Sequence, residues 1–333
     1  MVSYKVSIII PVFNEEKNIC RVLDSVYSQT YKNFEVIVVD DGSEDNTGQI
    51  CQNYNQKYNN FKYVYKKNTG VSDTRNLGLA YVTGDYVSFW DADDWVASDY
   101  LDNLVHAINV TPDPQKTVIV AGCTIDYYFN NSKRNSEIIS LNNKLISKKE
   151  VLSTFIEQHE KYRLELWNKL FPVGIVKNKK FKSEIILGED FEFFTQCLTN
   201  IEYLMTVNDT SYHYKIDISR MKHFTSFSQE ISREKIIQKN LVTAGISKKS
   251  SEFFYFRRLL ITAYTALSYL PYTEKNDKKE EYTVLKELKI SKPDGFKPFA
   301  KYQKAQWVMM ILARLNSPIL ISEYFKIKSK IKG

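Results

Sequence analysis

Residues 86–95 read Tyr86-Val87-Ser88-Phe89-Trp90-Asp91-Ala92-Asp93-Asp94-Trp95, a largely apolar run that passes directly into three clustered carboxylates. The run Tyr86–Trp90 reads as a buried strand. Its end needs explaining, because carboxylates that close repel one another, and some keep a proton unless a cation joins them. One reading is an acidic turn before a helix, with Ser98 as N-cap and Asp99 favoured by the helix dipole. The other is a functional site. The surrounding chain decides.

Upstream, strand and helix patterns alternate through the first 126 residues. Val6-Ser7-Ile8-Ile9-Ile10-Pro11 is a continuous apolar strand, and residues 15–29 place Ile19, Val22, Leu23 and Val26 on one helical stripe. Phe34–Val39 forms a second strand ending in Asp40-Asp41-Gly42-Ser43, followed by a polar helix from about Thr47 and a third strand at Phe61–Tyr65. Gly70 precedes a short helix carrying Arg75, Asn76 and Gly78, and Thr117–Cys123 is a fifth strand. Near-continuous apolar strands separated by helices predict an α/β fold with a mainly parallel sheet covered on both faces. Such sheets bind ligands beyond the carboxyl ends of their strands. Residues 11–15, 40–41 and 91–94 all fall on that one edge, so the acidic turn is not isolated. Between Asn130 and Lys149 the chain turns polar, which reads as a surface excursion. Apolar patterning resumes from Val151 to about Tyr214, and basic helical patterns follow Ser228.

The 333 residues, 43% hydrophobic and 26% charged, have an ordinary globular composition, enough for one large domain or two smaller ones. Cys20, Cys51, Cys123 and Cys197 are far apart and form no CxxC pair, which reads as reduced thiols in a cytoplasmic protein. The N-terminus enters a strand with no signal peptide, and no apolar run approaches the ~18–20 residues that span a bilayer. The expectation is a soluble protein, or one peripheral to the inner face of the cell membrane. Charge is uneven: residues 231–333 hold 21 Lys/Arg against 9 Asp/Glu, a net of +12, while the first 230 carry −5. An acidic front and a basic back point to two regions, the second facing something anionic. Within 301–315, Tyr302, Ala305, Val308, Met309, Leu312 and Leu315 fall at helical spacing among basic neighbours. Such a helix could lie on an anionic bilayer or pack on the rest of the protein. No recognised nucleic-acid-binding module appears.

A strand-end Asp cluster suits a hard divalent cation, Mn²⁺ or Mg²⁺, sharing its oxygen ligands with phosphates. A nucleotide diphosphate fits this edge: Asp41 could accept from a base imide N–H, and Arg75 could reach a phosphate or ribose. Residues 40–43 could equally form an Asx turn with Gly42 at positive φ, and Arg75 could be a solvated helix charge. There is no GxxxxGK[ST] loop, and no GxGxxG follows the first strand, which argues against simple NTPase and dinucleotide readings.

Val6–Glu15, Val38–Asp45, Gly70–Gly78 and Phe89–Trp95 resemble, in order and spacing, the nucleotide-binding half of family 2 glycosyltransferases with the Rossmann-like GT-A fold. The resemblance covers about residues 4–126 strongly and 160–225 moderately. It departs at Asp73-Thr74-Arg75, where the family more often has Ala before the Arg. It implies that Asp41 binds uracil and that Pro11, Val12, Phe13 and Glu15 wall the nucleotide. It also implies that the DxD-type turn Asp91-Ala92-Asp93 carries ribose and metal contacts. Asp93, at the end of a buried strand inside a like-charge cluster, is the expected principal metal ligand, with Asp91 a second. His213, in a stretch from Tyr212 to Arg220 similar to one that folds over the diphosphate, is a candidate further ligand. In Gly188-Glu189-Asp190 the resemblance makes Asp190 the catalytic base. A helix N-cap is the competing reading. Trp167-Asn168-Lys169 looks like an acceptor-side segment, with Glu189 beside it, although Trp167 would also suit a core. His106 and His159 read as structural.

The resulting expectation is a GT-A catalytic domain over 1–228, with a nucleotide-sugar half at 1–126 and an acceptor half at 127–228, and a helical basic region over 229–333. Its activity would be inverting, metal-dependent transfer from a UDP-sugar to a hydroxyl of a glycan or lipid-linked glycan, with one carboxylate as base. A sugar-nucleotide pyrophosphorylase would share the sheet but should carry a Gly-rich basic loop where Val12-Phe13-Asn14-Glu15-Glu16 stands. A non-catalytic nucleotide-sugar-binding protein would not need Asp41, Arg75, Asp91, Asp93 and Asp190 together.

Overall fold

The protein is described from a computed structural model, which covers residues 2–158, 165–217, 219, 226–269, 287–288 and 291. The expected helix within 301–315, Arg220 and the structural reading of His159 lie outside the described residues. The chain divides into two compact units, Met1–Met221 and Lys222–Gly333, where the sequence reading set the boundary at 228.

The first unit opens with β1 (Val6–Val12), α1 (Ile19–Tyr27), β2 (Phe34–Asp40), α2 (Thr47–Lys57), β3 (Phe61–Tyr65), α3 (Val71–Ala80) and β4 (Tyr86–Phe89). Next come β5 (Trp95–Val96), α4 (Tyr100–Asn109), β6 (Thr117–Ala121), β7 (Cys123–Phe129), β8 (Ser132–Ile139), β9 (Lys144–Ser147) and α5 (Lys148–Gln158). The unit ends with β10 (Lys169–Pro172), α6 (Val173–Val176), α7 (Glu189–Cys197), β11 (Tyr203–Val207) and β12 (Tyr212–Asp217). In the second unit α8 (Phe227–Thr243) and α9 (Lys248–Tyr269) pack together, with the buried Glu234 carboxylate between Arg233 and Arg258 at 2.7 and 3.0 Å. No described helix is long and apolar enough to cross a membrane.

The main sheet runs β3-β2-β1-β4-β10-β6-β11-β9. Pairing is parallel from β3 through β4; β10 then runs antiparallel to both its neighbours, and β9 antiparallel to β11. Strands of the two expected halves therefore share one sheet. Alternate residues of β1 serve its two faces. Ile8 and Ile10 join the buried stripe Ile19, Val22, Leu23 and Val26 of α1, each such side chain stabilising by about 1.5–3 kcal/mol. Ile9 points the other way, towards α3, where a Cβ on Gly78 would stand 2.6 Å from Ile9 Cγ2. A glycine there lets α3 press onto the sheet, one turn beyond Arg75.

Four local expectations are corrected or refined. The first helix begins at Ile19 rather than near residue 15, because residues 15–18 are spent on a turn that ties back to Thr47 and Asp45. The expected strand Thr117–Cys123 breaks at Gly122 into β6 and β7, which join different sheets. The polar stretch 130–149, expected only as a surface excursion, is largely exposed but ordered as strands β8 and β9. β8 is an edge strand of a second sheet, β5-β12-β7-β8, and seven of its eight residues are exposed, so no buried face marked it in the sequence. Finally, the N-cap of α4 is Asp99, with no side-chain cap, while Ser98 offers its carbonyl to Thr30.

Candidate active site

Register brings the strand ends together. Val12 lies opposite Asp40 and Ile9 opposite Phe89, so Phe13, Asp41 and Asp91 emerge along one edge. They line a cavity of about 420 Å³. Every expected donor-side residue except Arg75 lines it: Pro11, Val12, Phe13 and Glu15 from the end of β1, Asp41 from β2, and Asp91, Ala92 and Asp93 from the turn after β4. Asn68, Gly70, Val71 and Thr74 complete the wall.

The loops of this edge are tied to one another. Asn14 takes a left-handed φ of 54°, tolerated by asparagine, and its N–H donates to Ser43 Oγ at 2.9 Å while its Oδ1 accepts from Glu44 N at 2.8 Å. Asp40 is fully buried, accepting from Ser43 N and from the Tyr63 hydroxyl, both at 2.8 Å. The Asx-type reading of residues 40–43 thus holds for Asp40, with Gly42 at φ +81°. Asp41 does something different. Its carboxylate accepts from the N–H groups of Thr69 and Gly70, both at 2.9 Å, and pairs with Lys66. It fixes the loop before α3 and still borders the cavity, where an oxygen can accept a further bond.

The four carboxylates after β4 separate into different roles. Asp94 turns inward, fully buried, accepting from the Tyr212 hydroxyl and Lys215 N–H at 2.8 Å each. Asp99 begins α4. Asp91 and Asp93 face the cavity. Burial, with Asp91 and Glu15 close by, pushes the Asp93 carboxyl up to about 7, against the opposing pull of Lys215. Arg21 stacks over Trp95 at 4.0 Å and donates to the Asp93 carbonyl, holding the turn from below the cavity.

Behind this wall sits Arg75, 4% exposed. Its Nη1 donates to Glu189 Oε1 at 2.8 Å and Asp190 Oδ1 at 2.7 Å, and its Nη2 to Asp91 Oδ1 at 3.2 Å. One guanidinium therefore serves three partly buried carboxylates, and Nε has no hydrogen-bond partner. The expectation of a solvated helix charge fails, because α3 is pressed onto β1. The N-cap of α7 is Gly188. Glu189 and Asp190 occupy its first turn, where the helix dipole favours carboxylates. Burial raises the Asp190 carboxyl to about 8, with Glu189 and Asp91 adding to the rise and Arg75 opposing it.

Other expected residues lie elsewhere. Trp167, Asn168 and Lys169 are buried. Trp167 stacks on Tyr212 at 4.8 Å and Tyr214 at 4.7 Å, while Asn168 Nδ2 donates to the Ala121 carbonyl at 2.6 Å and Lys169 Nζ to Asn168 Oδ1 at 2.7 Å. Their side chains join the two sheets and do not line the cavity. His213 stacks on Trp95 at 4.7 Å and places Nδ1 2.9 Å from Asp126 Oδ2, on the second sheet. Sequence reasoning missed Lys66 and Lys215, the cations beside Asp41 and Asp93. Both sit in otherwise ordinary polar contexts, and only the fold carries them to the edge.

Among the described residues, no three His, Cys, Asp or Glu side chains close on one point to cage an ion. Asp91 and Asp93 nevertheless fit a divalent cation whose remaining ligands come from a diphosphate, since the cluster holds more carboxylate than cationic charge.

A family model described as glycosyl transferase family 2 matches residues 7–173, the span that carries β1 through β10 and the whole donor-side edge. The chain belongs to glycosyl transferase family 2. This family member is 31% identical over 223 residues to "Glycosyltransferase GlyA" of Streptococcus pneumoniae serotype 4, covering 65% of this chain and 31% of GlyA. It is 29% identical over 217 residues to "Minor teichoic acid biosynthesis protein GgaB" of Bacillus subtilis, covering 64% of this chain and 23% of GgaB. It thus spans less than a third of the length of either relative. Among solved structures, S. aureus TarS 1–349 in complex with UDP-GlcNAc matches with a TM-score of 0.73 at 20% identity, over 98% of this chain and 91% of that one. At that identity the likeness is one of fold, and the fold is GT-A.

Proposed function

We propose that this glycosyltransferase moves a sugar from a UDP-sugar, with inversion, onto a hydroxyl of a glycan or lipid-linked glycan, working at the cytoplasmic face of the membrane. The observation that carries this is the position of Asp190: one buried guanidinium joins it to Asp91, and Asp91 lines the nucleotide-sized cavity. A UDP-sugar along the edge would set its base beside Asp41 and its diphosphate near Asp91 and Asp93. The solved complex of TarS with UDP-GlcNAc supports a donor of that class.

Arg75 holds Oδ1 of Asp190, so Oδ2 is the oxygen to receive the acceptor hydroxyl's proton as the hydroxyl oxygen attacks the anomeric carbon and the bond to the diphosphate breaks. The wall of Pro11, Val12 and Phe13 keeps water from one side of the donor, and Asp41 orients the base. A divalent cation held by Asp91 and Asp93 would supply the charge that a departing diphosphate needs.

The test is Asp190→Asn. UDP binding by calorimetry should survive, while transfer from a UDP-sugar panel should fall roughly 10²–10⁴-fold, the contribution of a positioned base. Near wild-type transfer would remove Asp190 from the role. A chain that binds no uridine nucleotide, with or without Mn²⁺, would remove the donor assignment.

A further inference from the structure

A second cavity of about 500 Å³ opens elsewhere on the first unit, between α3, β4 and α6, and shares no residue with the nucleotide edge. Its apolar wall comes from Leu79, Val82, Val87, Val173 and Val176. Lys177, Lys179 and Lys180 line it too, and no acidic side chain does. Lys179 donates to Thr199 Oγ1 at 3.1 Å. Lys177 and Lys180 are exposed and have no carboxylate partner among the described residues. An apolar pocket carrying unpaired cations has one chemical complement, an apolar chain that ends in an anion. Its volume lies within the range of small-molecule sites.

We propose that this cavity binds one apolar chain of an amphiphile with an anionic head, the chain against the valine and leucine wall and the head on Lys177 and Lys180. The chemistry fits a phosphate-bearing lipid, whether a bilayer component or a lipid that carries a glycan. The place matters for the enzyme. Asn76 borders the cavity and exchanges two 2.8 Å hydrogen bonds with the backbone of Phe181. The Phe181 ring stacks on Phe193 of α7 at 3.9 Å, and the Arg75 guanidinium lies 5.5 Å from it. An occupant would therefore touch the back of α3, which presents Arg75, and would reach the Asp190 helix only through Asn76 and Phe181.

The experiment titrates decyl phosphate, below its micellar concentration, into the full chain and follows heat. Decyl maltoside and inorganic phosphate serve as chain-only and head-only probes. Decyl phosphate should bind at least tenfold more tightly than either. The double variant Lys177→Glu, Lys180→Glu should weaken it at least tenfold while leaving UDP affinity unchanged, which also reports an intact fold. If the double variant also loses co-sedimentation with phosphatidylglycerol vesicles, the occupant is a bilayer lipid. If it loses decyl phosphate alone, the occupant is a carried lipid. No binding of decyl phosphate, equal binding by the double variant, or inorganic phosphate binding as tightly as decyl phosphate overturns the proposal.

Discussion

Arg75 and Asp190 stand 115 positions apart in the chain and meet at 2.7 Å, Nη1 to Oδ1, inside the protein. The same nitrogen reaches Glu189, and the other terminal nitrogen reaches Asp91. The donor side and the proposed base are thus parts of one electrostatic cluster. Its single cation serves three carboxylates, and burial raises the pKa of both Asp91 and Asp190.

Replacing Arg75 by Met should strand those carboxylates without a partner. Removing one member of a buried charge cluster costs about 3–5 kcal/mol. Urea unfolding followed by circular dichroism should show that loss, and the loss should shrink in acid, where protons neutralise what the guanidinium no longer serves. An unchanged unfolding midpoint would mean the cluster is solvated.

For Asp93→Asn the expected signature is opposite with and without metal. The variant should lose the Mn²⁺-dependent gain in UDP affinity. In metal-free buffer it should bind UDP as well as wild type or a few-fold better, because one negative charge has left the cavity proposed to receive a diphosphate. Calorimetry in Mn²⁺ and in chelator reads both arms. A retained Mn²⁺ gain would assign the ion to other ligands.

Gly42→Ala tests the turn beneath the cavity. The residue sits at φ +81°, and a Cβ there would come 2.8 Å from the Asn68 backbone nitrogen. Strain of this kind costs about 1–3 kcal/mol. The Asn68–Gly70 segment held by Asp41 should shift, lowering both the melting temperature and UDP affinity. A variant that melts normally would show that the loop can give way.

Glu35 provides a pH test away from the site. Burial favours its protonated form, yet bonds from Lys5, Ser7 and Thr83 outweigh burial and bring it down from 4.5 to about 2. A carboxylate lowered in the folded state contributes stability that is complete above its unfolded value and is lost as pH falls towards about 2. With its side chain 14% exposed, that contribution is at most about 3 kcal/mol. Unfolding free energies measured from neutral pH into that range should fall less steeply in Glu35→Gln than in wild type.

What the sequence disclosed followed local pattern. β1 to β4 were legible because each is a short apolar run closed by a turn, and the carboxyl-end rule then put Phe13, Asp41 and Asp91 on one edge. β8 was not legible, because Ser132–Ile139 joins its sheet neighbour through backbone bonds and polar side-chain contacts and has no buried apolar side to impose alternation. The partners Glu189 and Asp190 of Arg75 were hidden for another reason: no spacing rule links residues more than a hundred positions apart. The resemblance puts Trp167, Asn168 and Lys169 on the acceptor side, and only the core alternative for Trp167 points to where they lie. Lys169 is buried because Asn168 Oδ1 and the Glu165 carbonyl take the hydrogen bonds water would have supplied.

Strand β10 lies between β4 and β6, although it is made long after both. Phe171 and Pro172 pair with β4, and Lys169 and Leu170 pair with β6. Until residue 172 has emerged, β4 therefore keeps a bare edge and β6, whose sheet neighbours are β10 and the still later β11, has no partner strand. Distant pairings of this kind slow folding, and bare edges recruit other chains. A fragment ending at residue 126 would hold Asp41, Arg75, Asp91 and Asp93 and still lack the strand that welds its two edges together. Such a fragment should accumulate as aggregate, and the donor half should become an independent module only if an extra strand is built to replace residues 169–172.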